Sequence, residues 1–167
     1  NRRGSIISKT SSINNRFTEI VSKTKPFGIR KDVFNNPEKY SEFNVQSEYY
    51  DGSLMIHGVK GIKGGAKRTI GYIHNSAVSD ENKRELINKY KVFFTTSYSS
   101  DATIPPEAIE AEPGVICTET FLVFGPFETK EEMQNCHKYV QTTFFRLLLY
   151  FGHGTMQVSQ EVFRFIP

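Results

Sequence analysis

The sequence has 167 residues and contains no run of about 18 apolar residues, so it predicts no membrane-spanning helix. No apolar signal-peptide core follows the polar start, Asn1 to Ser5. We therefore expect a cytoplasmic protein that does not bind membranes. The chain also does not begin with methionine, which suggests a piece cut from a longer protein. Apolar residues make up 38% and charged residues 23%, which indicates one folded domain rather than a disordered chain.

Cysteine is scarce, with only Cys117 and Cys136. Two cysteines make a poor disulfide framework, and they cannot build a tetrahedral zinc site without histidines. The four histidines show no spacing typical of metal ligands. The sequence therefore predicts two buried thiols in a reducing compartment and no metal site.

Phosphate-binding loops of the nucleotide-binding families are also missing. A P-loop needs Gly-x-x-x-x-Gly-Lys followed by Ser or Thr, whereas Lys67 is followed by Arg68. No Gly-x-Gly-x-x-Gly follows a predicted strand. The segment Gly58-Val59-Lys60-Gly61 resembles the Gly-x-x-Gly loop of KH domains, but that loop joins two helices and this one follows a strand. We interpret the match as coincidence.

Charge is unevenly distributed along the chain. Residues 1–68 contain 13 Lys and Arg against 6 Asp and Glu, a net +7, whereas residues 101–135 contain 1 against 8, a net −7. Such asymmetry indicates a basic part that faces a polyanion and an acidic part that faces away from it or towards a partner. The alternative is a solvated charge pattern with no partner.

Strand and helix patterns alternate irregularly, which favours an α+β fold with a mixed β-sheet, packed helices and a single domain. The domain is predicted at 14–167, after a linker or disordered end at 1–13. A short helix is expected near Asn14 to Val21, and a capping box formed by Thr129 and Glu132 begins one long C-terminal helix at about 130–150. The predicted strands are Tyr49–Val59, Thr69–His74, Lys91–Thr96 and a central strand within 113–127.

Two basic clusters are the candidate DNA contacts. The first is a predicted hairpin loop, Gly58 to Arg68, whose four glycines would let the backbone approach a ligand and whose four basic residues would neutralise phosphates. The second surrounds Phe27 and consists of Lys23, Lys25, Arg30 and Lys31. Arginine is the side chain best suited to form two hydrogen bonds with guanine, so Arg30 and Arg68 are the predicted base contacts. The alternative for each residue is an exposed surface cation. The predicted DNA-binding residues are Lys25, Arg30, Lys31, Lys60, Lys63, Lys67 and Arg68.

A carboxylate on a predicted core strand, Glu119, is the candidate for catalysis. Metal-dependent nucleases place an acid and a Glu-x-Lys on adjacent strands. The two Glu-x-Lys segments, Glu81-Asn82-Lys83 and Glu128-Thr129-Lys130, lie at predicted helix starts, and no lysine stands two residues after Glu119. We therefore expect Glu119 to pair with a basic side chain or to accept backbone hydrogen bonds. A small nuclease, or an RNA or protein interaction module using the acidic loop 101–112, remains an alternative.

Several motifs together resemble a known family, the C-terminal target-recognition region of bacterial adenine-specific DNA methyltransferases. These are the TaqI-like and type IIG methylases of restriction–modification systems, some of which are fused to a nuclease. The resemblance covers roughly residues 15 to 167, and the Pro-Gly-x-Ile-Cys-Thr-Glu-Thr segment is the most specific part of it. The motifs occur in this order: Lys25-Pro26-Phe27-Gly28-Ile29-Arg30, Ile87-Asn88-Lys89-Tyr90-Lys91-Val92, residues 113–120, Gly125-Pro126-Phe127, Phe144-Phe145-Arg146 and residues 162–167.

The resemblance implies sequence-specific recognition of double-stranded DNA. In such enzymes an N-terminal domain of the same chain binds S-adenosylmethionine and holds an Asn-Pro-Pro-Tyr/Phe motif that receives the flipped adenine. This chain has neither feature, and its nearest spelling, Asn35-Asn36-Pro37-Glu38, lacks the second proline and the aromatic residue. The implied fragment binds no cofactor and has no catalytic residue of its own. The family motifs are mostly scaffold, so they do not identify the base contacts.

Overall fold

The computed structural model describes residues 17–23, 25–96, 105–152 and 158–167. The α+β fold with packed helices is confirmed, as a compact single domain with two small sheets. The predicted linker at 1–13 lies outside the described residues. None of the described helices has the length and apolar character needed to cross a bilayer.

The first sheet contains the long hairpin of the chain. Strands β1 (Ser53–Ile62) and β2 (Gly65–His74) are antiparallel. A short parallel strand, β5 (Val115–Cys117), pairs with β1 on its other side and makes this sheet mixed. The prediction of a loop at Gly58–Arg68 was wrong, because both strands continue through this segment to a turn at Lys63-Gly64. Gly64 has a φ of +86°, which a turn can require of a glycine and which other residues rarely adopt.

The second sheet is antiparallel throughout. Strand β3 (Tyr90–Thr95) lies between β4 (Ile109–Ala111) and β6 (Phe121–Phe127). The predicted central strand at 113–127 is therefore divided into β5 and β6, which lie at the edges of different sheets. The division falls at Thr118, whose N–H donates to the His57 carbonyl of the first sheet and whose own carbonyl accepts from Phe121 N–H in a turn.

Two hydrophobic cores flank the second sheet, because its strands bury both faces. Val92 and Phe94 of β3 pack into one core with the C-terminal helices, whereas Phe93 packs into the other core with the first sheet. This double burial explains the nearly continuous apolar run of β3 and β6. Both cysteines are buried and free, Cys117 in one core and Cys136 in the other, as the sequence predicts.

Three α-helices are present among the described residues: α1 (Glu81–Ile87), α2 (Lys130–Val140) and α3 (Thr143–Gly152). The capping box of Thr129 and Glu132 is confirmed. The prediction of a single long helix at 130–150 was wrong, since α2 and α3 are separate helices. Thr142 divides them, because its hydroxyl donates to the Tyr139 carbonyl and accepts from the N–H of Phe145.

The other helical segments within the described ranges are short 3-10 helices. The predicted helix near Asn14 to Val21 contains one such turn among the described residues. The 3-10 helices are Phe17–Glu19, Lys31–Phe34, Pro37–Phe43, Asn75–Ala77 and Gln160–Phe165.

Candidate nucleic-acid interface

The end of the β1–β2 hairpin projects as an exposed two-stranded ribbon, which we define as residues 60–68. Lys60 of β1 stands directly opposite Lys67 of β2, and Lys63 lies in the turn. Side chains directly opposite each other on antiparallel strands are close neighbours, so the two ammonium groups repel each other. Among the described residues, no carboxylate forms an ion pair with Lys60, Lys63 or Lys67. The ribbon is therefore a concentrated and unneutralised positive charge.

Phe34 holds the base of this ribbon in place. A β-carbon added to Gly58 would lie 2.4 Å from Phe34 Cε2, and one added to Gly71 would lie 2.8 Å from Phe34 Cε1. Two of the hairpin glycines thus leave room for an aromatic ring of the same chain. The prediction that the loop glycines let the backbone approach a ligand was wrong for Gly58, whose space is filled.

Asn35 connects the ribbon to the second basic cluster. Its side-chain Oδ1 accepts a hydrogen bond of 3.1 Å from the N–H of Gly61, which covers an otherwise open edge of β1. Asn35 directly follows the 3-10 helix Lys31–Phe34, and Arg30 is the N-cap of that helix. The fold therefore places the end of the second cluster, Arg30 and Lys31, at the start of a helix that packs against the base of the ribbon.

Both carboxylate oxygens of Glu119 already have partners in this second cluster. Its Oε1 accepts from the Lys31 N–H at 3.2 Å, and its Oε2 lies 3.4 Å from Lys25 Nζ. The expectation of a basic partner and a backbone hydrogen bond is confirmed on both counts. Lys25 is consequently partly neutralised, whereas the Lys31 side chain is left exposed.

Arg30 lies beside Asp32, with 3.7 Å between Arg30 Nε and Asp32 Oδ1. The same carboxylate accepts from the Tyr40 hydroxyl and, at 3.2 Å, from Lys39 Nζ. The hydrogen bond from Tyr40, followed by that from Lys39, lowers the pKa of Asp32. Asp32 thus fixes the segment that carries Arg30, while the Arg30 side chain stays 62% exposed and able to reach a ligand.

Arg68 contributes more to the folded structure than the other predicted DNA-binding residues do. Its Nη2 donates to the Glu107 carbonyl at 2.7 Å, and its guanidinium carbon lies 5.9 Å from the centre of the Phe121 ring. Burial lowers the pKa of Arg68, and burial together with the Arg68 charge lowers the pKa of nearby His57. Arg68 ties the ribbon to the second sheet, so only its exposed part is open to a ligand.

Lys91 is a basic residue whose burial the sequence did not predict. It is fully buried in β3, and its Nζ donates to the carbonyls of Ile87 at 3.2 Å, Lys89 at 2.7 Å and Glu112 at 3.3 Å. Burial lowers the pKa of Lys91 to about 8. The available signal was a single lysine within an apolar strand. Because Lys91 satisfies carbonyls at the end of α1, its role is in the fold.

Comparison of the chain with protein-family models, curated proteins and solved structures finds no match. Among the described residues, no three His, Cys, Asp or Glu side chains group in a way that could hold a metal ion. The chemistry that this surface offers is attraction of anions by the ribbon lysines, with Arg30 and Lys31 nearby.

Proposed function

We propose that this chain binds double-stranded DNA through the ribbon and the adjacent Arg30 and Lys31. The observation that carries the proposal is the projecting ribbon, with three lysines and no ion-pair partner among the described residues. A two-stranded ribbon fits the major groove of B-form DNA, and lysines gain affinity by releasing the counterions of phosphates. The major groove of double-stranded RNA is too deep and narrow for side chains to read, which favours DNA as the ligand.

We further propose that this DNA binding serves target recognition in an adenine-specific DNA methyltransferase of a bacterial restriction–modification system. This step rests on the sequence motifs described above. On this proposal, S-adenosylmethionine and the methyl-transfer chemistry belong to an N-terminal methyltransferase domain of the same cytoplasmic protein. The chain itself then binds DNA and transfers no methyl group.

The nuclease alternative is weaker, because Glu119 is held by Lys25 and by the Lys31 N–H rather than left free for a metal. Incubating the chain with plasmid DNA and magnesium tests it directly. We expect intact plasmid. Cleavage that disappears in Glu119→Gln would replace the proposal by a nuclease.

The main experiment measures binding of a fluorescent duplex by anisotropy at several salt concentrations. Changing Lys60, Lys63 and Lys67 together to Gln removes three charges from the ribbon. The matched control changes Lys89, Lys130 and Lys138, which lie around α2, to Gln and alters net charge equally. We expect the ribbon variant to lose roughly 100-fold in affinity and to show a shallower salt dependence. The control should bind like the wild type, and equal losses in both variants would contradict the proposed interface.

A further inference from the structure

The two strands of the ribbon place their lysines on one face. Side chains alternate between the two faces of a strand, so Lys60 shares a face with Gly58. The antiparallel register adds Lys67 and Thr69 to the same face, since they stand opposite Lys60 and Gly58. The other face of the ribbon carries Gly61, Ala66 and Arg68 and no lysine. The two strand lysines are therefore paired on one face, whereas the positive charge on the other face, Arg68, is held by the Glu107 carbonyl and the Phe121 ring.

An open groove lies beside Lys60, and Lys67 is not among the residues that line it. It has a volume of about 230 Å³ and is lined by Phe34, Lys60 and Thr69, together with Ser47 and other residues of the segment that follows the 3-10 helices. The Thr69 hydroxyl donates to the Lys67 carbonyl at 3.2 Å, so it is already used. The donors left open on this face are the two ammonium groups, which are held near each other by the strand register.

We propose that Lys60 and Lys67 together bind a single phosphate group, as a clamp across the ribbon. This inference rests on the proposed DNA binding and narrows it to one contact. Two like charges directly opposite each other oppose strand pairing, and an anion between them turns that repulsion into attraction. A phosphodiester presents two non-bridging oxygens, so each ammonium donates to one of them. Lysine suits this role because it binds phosphate as a point charge.

The clamp determines how the ribbon meets DNA. If one backbone phosphate occupies the space between Lys60 and Lys67, these side chains do not reach base edges. Their contribution to affinity is then the same for every duplex sequence. Sequence preference has to come from other residues of the interface, such as Arg30.

The test compares salt dependence in Lys60→Gln, Lys67→Gln and the double variant. Each phosphate neutralised contributes about 0.9 to the slope of log affinity against log salt on B-form DNA. A shared phosphate predicts that the double variant loses about one unit of slope, whereas two separate phosphates predict a loss of about two. A loss near two or near zero would overturn the clamp. Lys63→Gln is the control, and its effect should add to that of the double variant.

A second arm separates the clamp from the DNA proposal and uses inorganic phosphate as the probe. We expect phosphate, added at constant ionic strength, to shift the backbone amide resonances of Lys60 and Lys67 in the wild type, and the shifts to disappear in either single variant. If the wild type fails to bind any duplex, the proposed function is lost, and the phosphate arm alone decides the clamp. Unchanged Lys60 and Lys67 resonances in that arm would then overturn it. Response to duplex but not to free phosphate, with a slope loss near one, assigns the clamp to the nucleic-acid backbone.

Discussion

The ribbon of the first sheet and the central strand of the second sheet both carry lysine, in opposite surroundings. Lys91 in β3 is fully buried and donates to three carbonyls. Lys60 and Lys67 are exposed, face each other and have no ion-pair partner among the described residues. The difference shows that charge is used for the fold where acceptors surround it, and is available for a ligand where they do not.

Removal of the Lys91 side chain tests whether this buried lysine stabilises the fold. We expect Lys91→Ala to destabilise the protein by about 2–4 kcal/mol, because it leaves a cavity and removes donors from three carbonyls. Urea unfolding measures the change. Lys91→Met keeps most of the volume and should cost less, about 1–3 kcal/mol. Lys60→Gln should leave the free energy of unfolding within about 0.5 kcal/mol of the wild type.

The pH dependence of the free energy of unfolding also distinguishes buried Lys91 from the exposed lysines. Below pH 8 Lys91 is charged in both the folded and the unfolded state. Between about 8, its folded pKa, and the usual lysine value near 10.4, only the unfolded state keeps the proton. The contribution of Lys91 to the free energy of unfolding should therefore rise with pH in this window, by roughly 3 kcal/mol at most.

Measurement of this rise needs a reference, because burial raises the pKa of Cys117 and raises that of Cys136 to about 12. Thiolate formation in the unfolded state then lowers stability above about pH 9. Both thiols remain in Lys91→Met. The difference in unfolding free energy between wild type and Lys91→Met at pH 7.5, 8.5 and 9.5 isolates Lys91. A flat difference would show that burial does not shift its pKa.

Substitution of Gly58 tests whether the stability of the hairpin depends on packing of the Phe34 ring against it. Gly58→Ala should cost about 1–3 kcal/mol, since the added carbon would lie 2.4 Å from Phe34 Cε2. Gly65→Ala is the matched control in the same hairpin, with nothing within 4 Å of the added carbon, and should be nearly neutral. Adding Phe34→Ala to Gly58→Ala should cost less than the sum of the two single changes. Additive costs would mean that the two residues do not interact.

We expect the weakest effect at Glu119, which contacts Lys25 and the Lys31 N–H of the second basic cluster. Glu119→Gln should lower stability by less than about 1 kcal/mol, because Lys25 is 56% exposed and solvent weakens the pair. It should also raise duplex affinity modestly, by about two-fold, since a negative charge beside Lys25 is removed. Glu128→Gln makes the same charge change beside Lys89 and should leave affinity unaltered. A loss of affinity in Glu119→Gln would mean that the carboxylate positions a DNA contact.

Local chemistry made several features of the fold predictable. The capping box at Thr129 formed as predicted because it needs only residues three positions apart. The division at Thr142 was missed, since a threonine hydroxyl that ends one helix and begins the next looks like any threonine in an apolar run. The hairpin was missed in part because four glycines suggested a loop, although Lys60 and Lys67 belong to continuous strands.

The candidate site was predictable in composition but not in arrangement. The sequence located the basic residues and the structural role of Glu119. It did not reveal Phe34 beneath Gly58 and Gly71, because that contact joins segments more than 20 residues apart. Lys91 was missed for the same reason, since its burial depends on carbonyls from other elements.

Periodicity, capping and charge are local properties, and they were enough to predict the α+β class, the start of α2, the two buried thiols and the basic segments. Which lysines are buried and which are open to a ligand depends instead on the tertiary structure. Strand register put Lys60 opposite Lys67, and packing of two sheets enclosed Lys91 among three carbonyls. Register and burial depend on distant partners, and no local pattern specifies them.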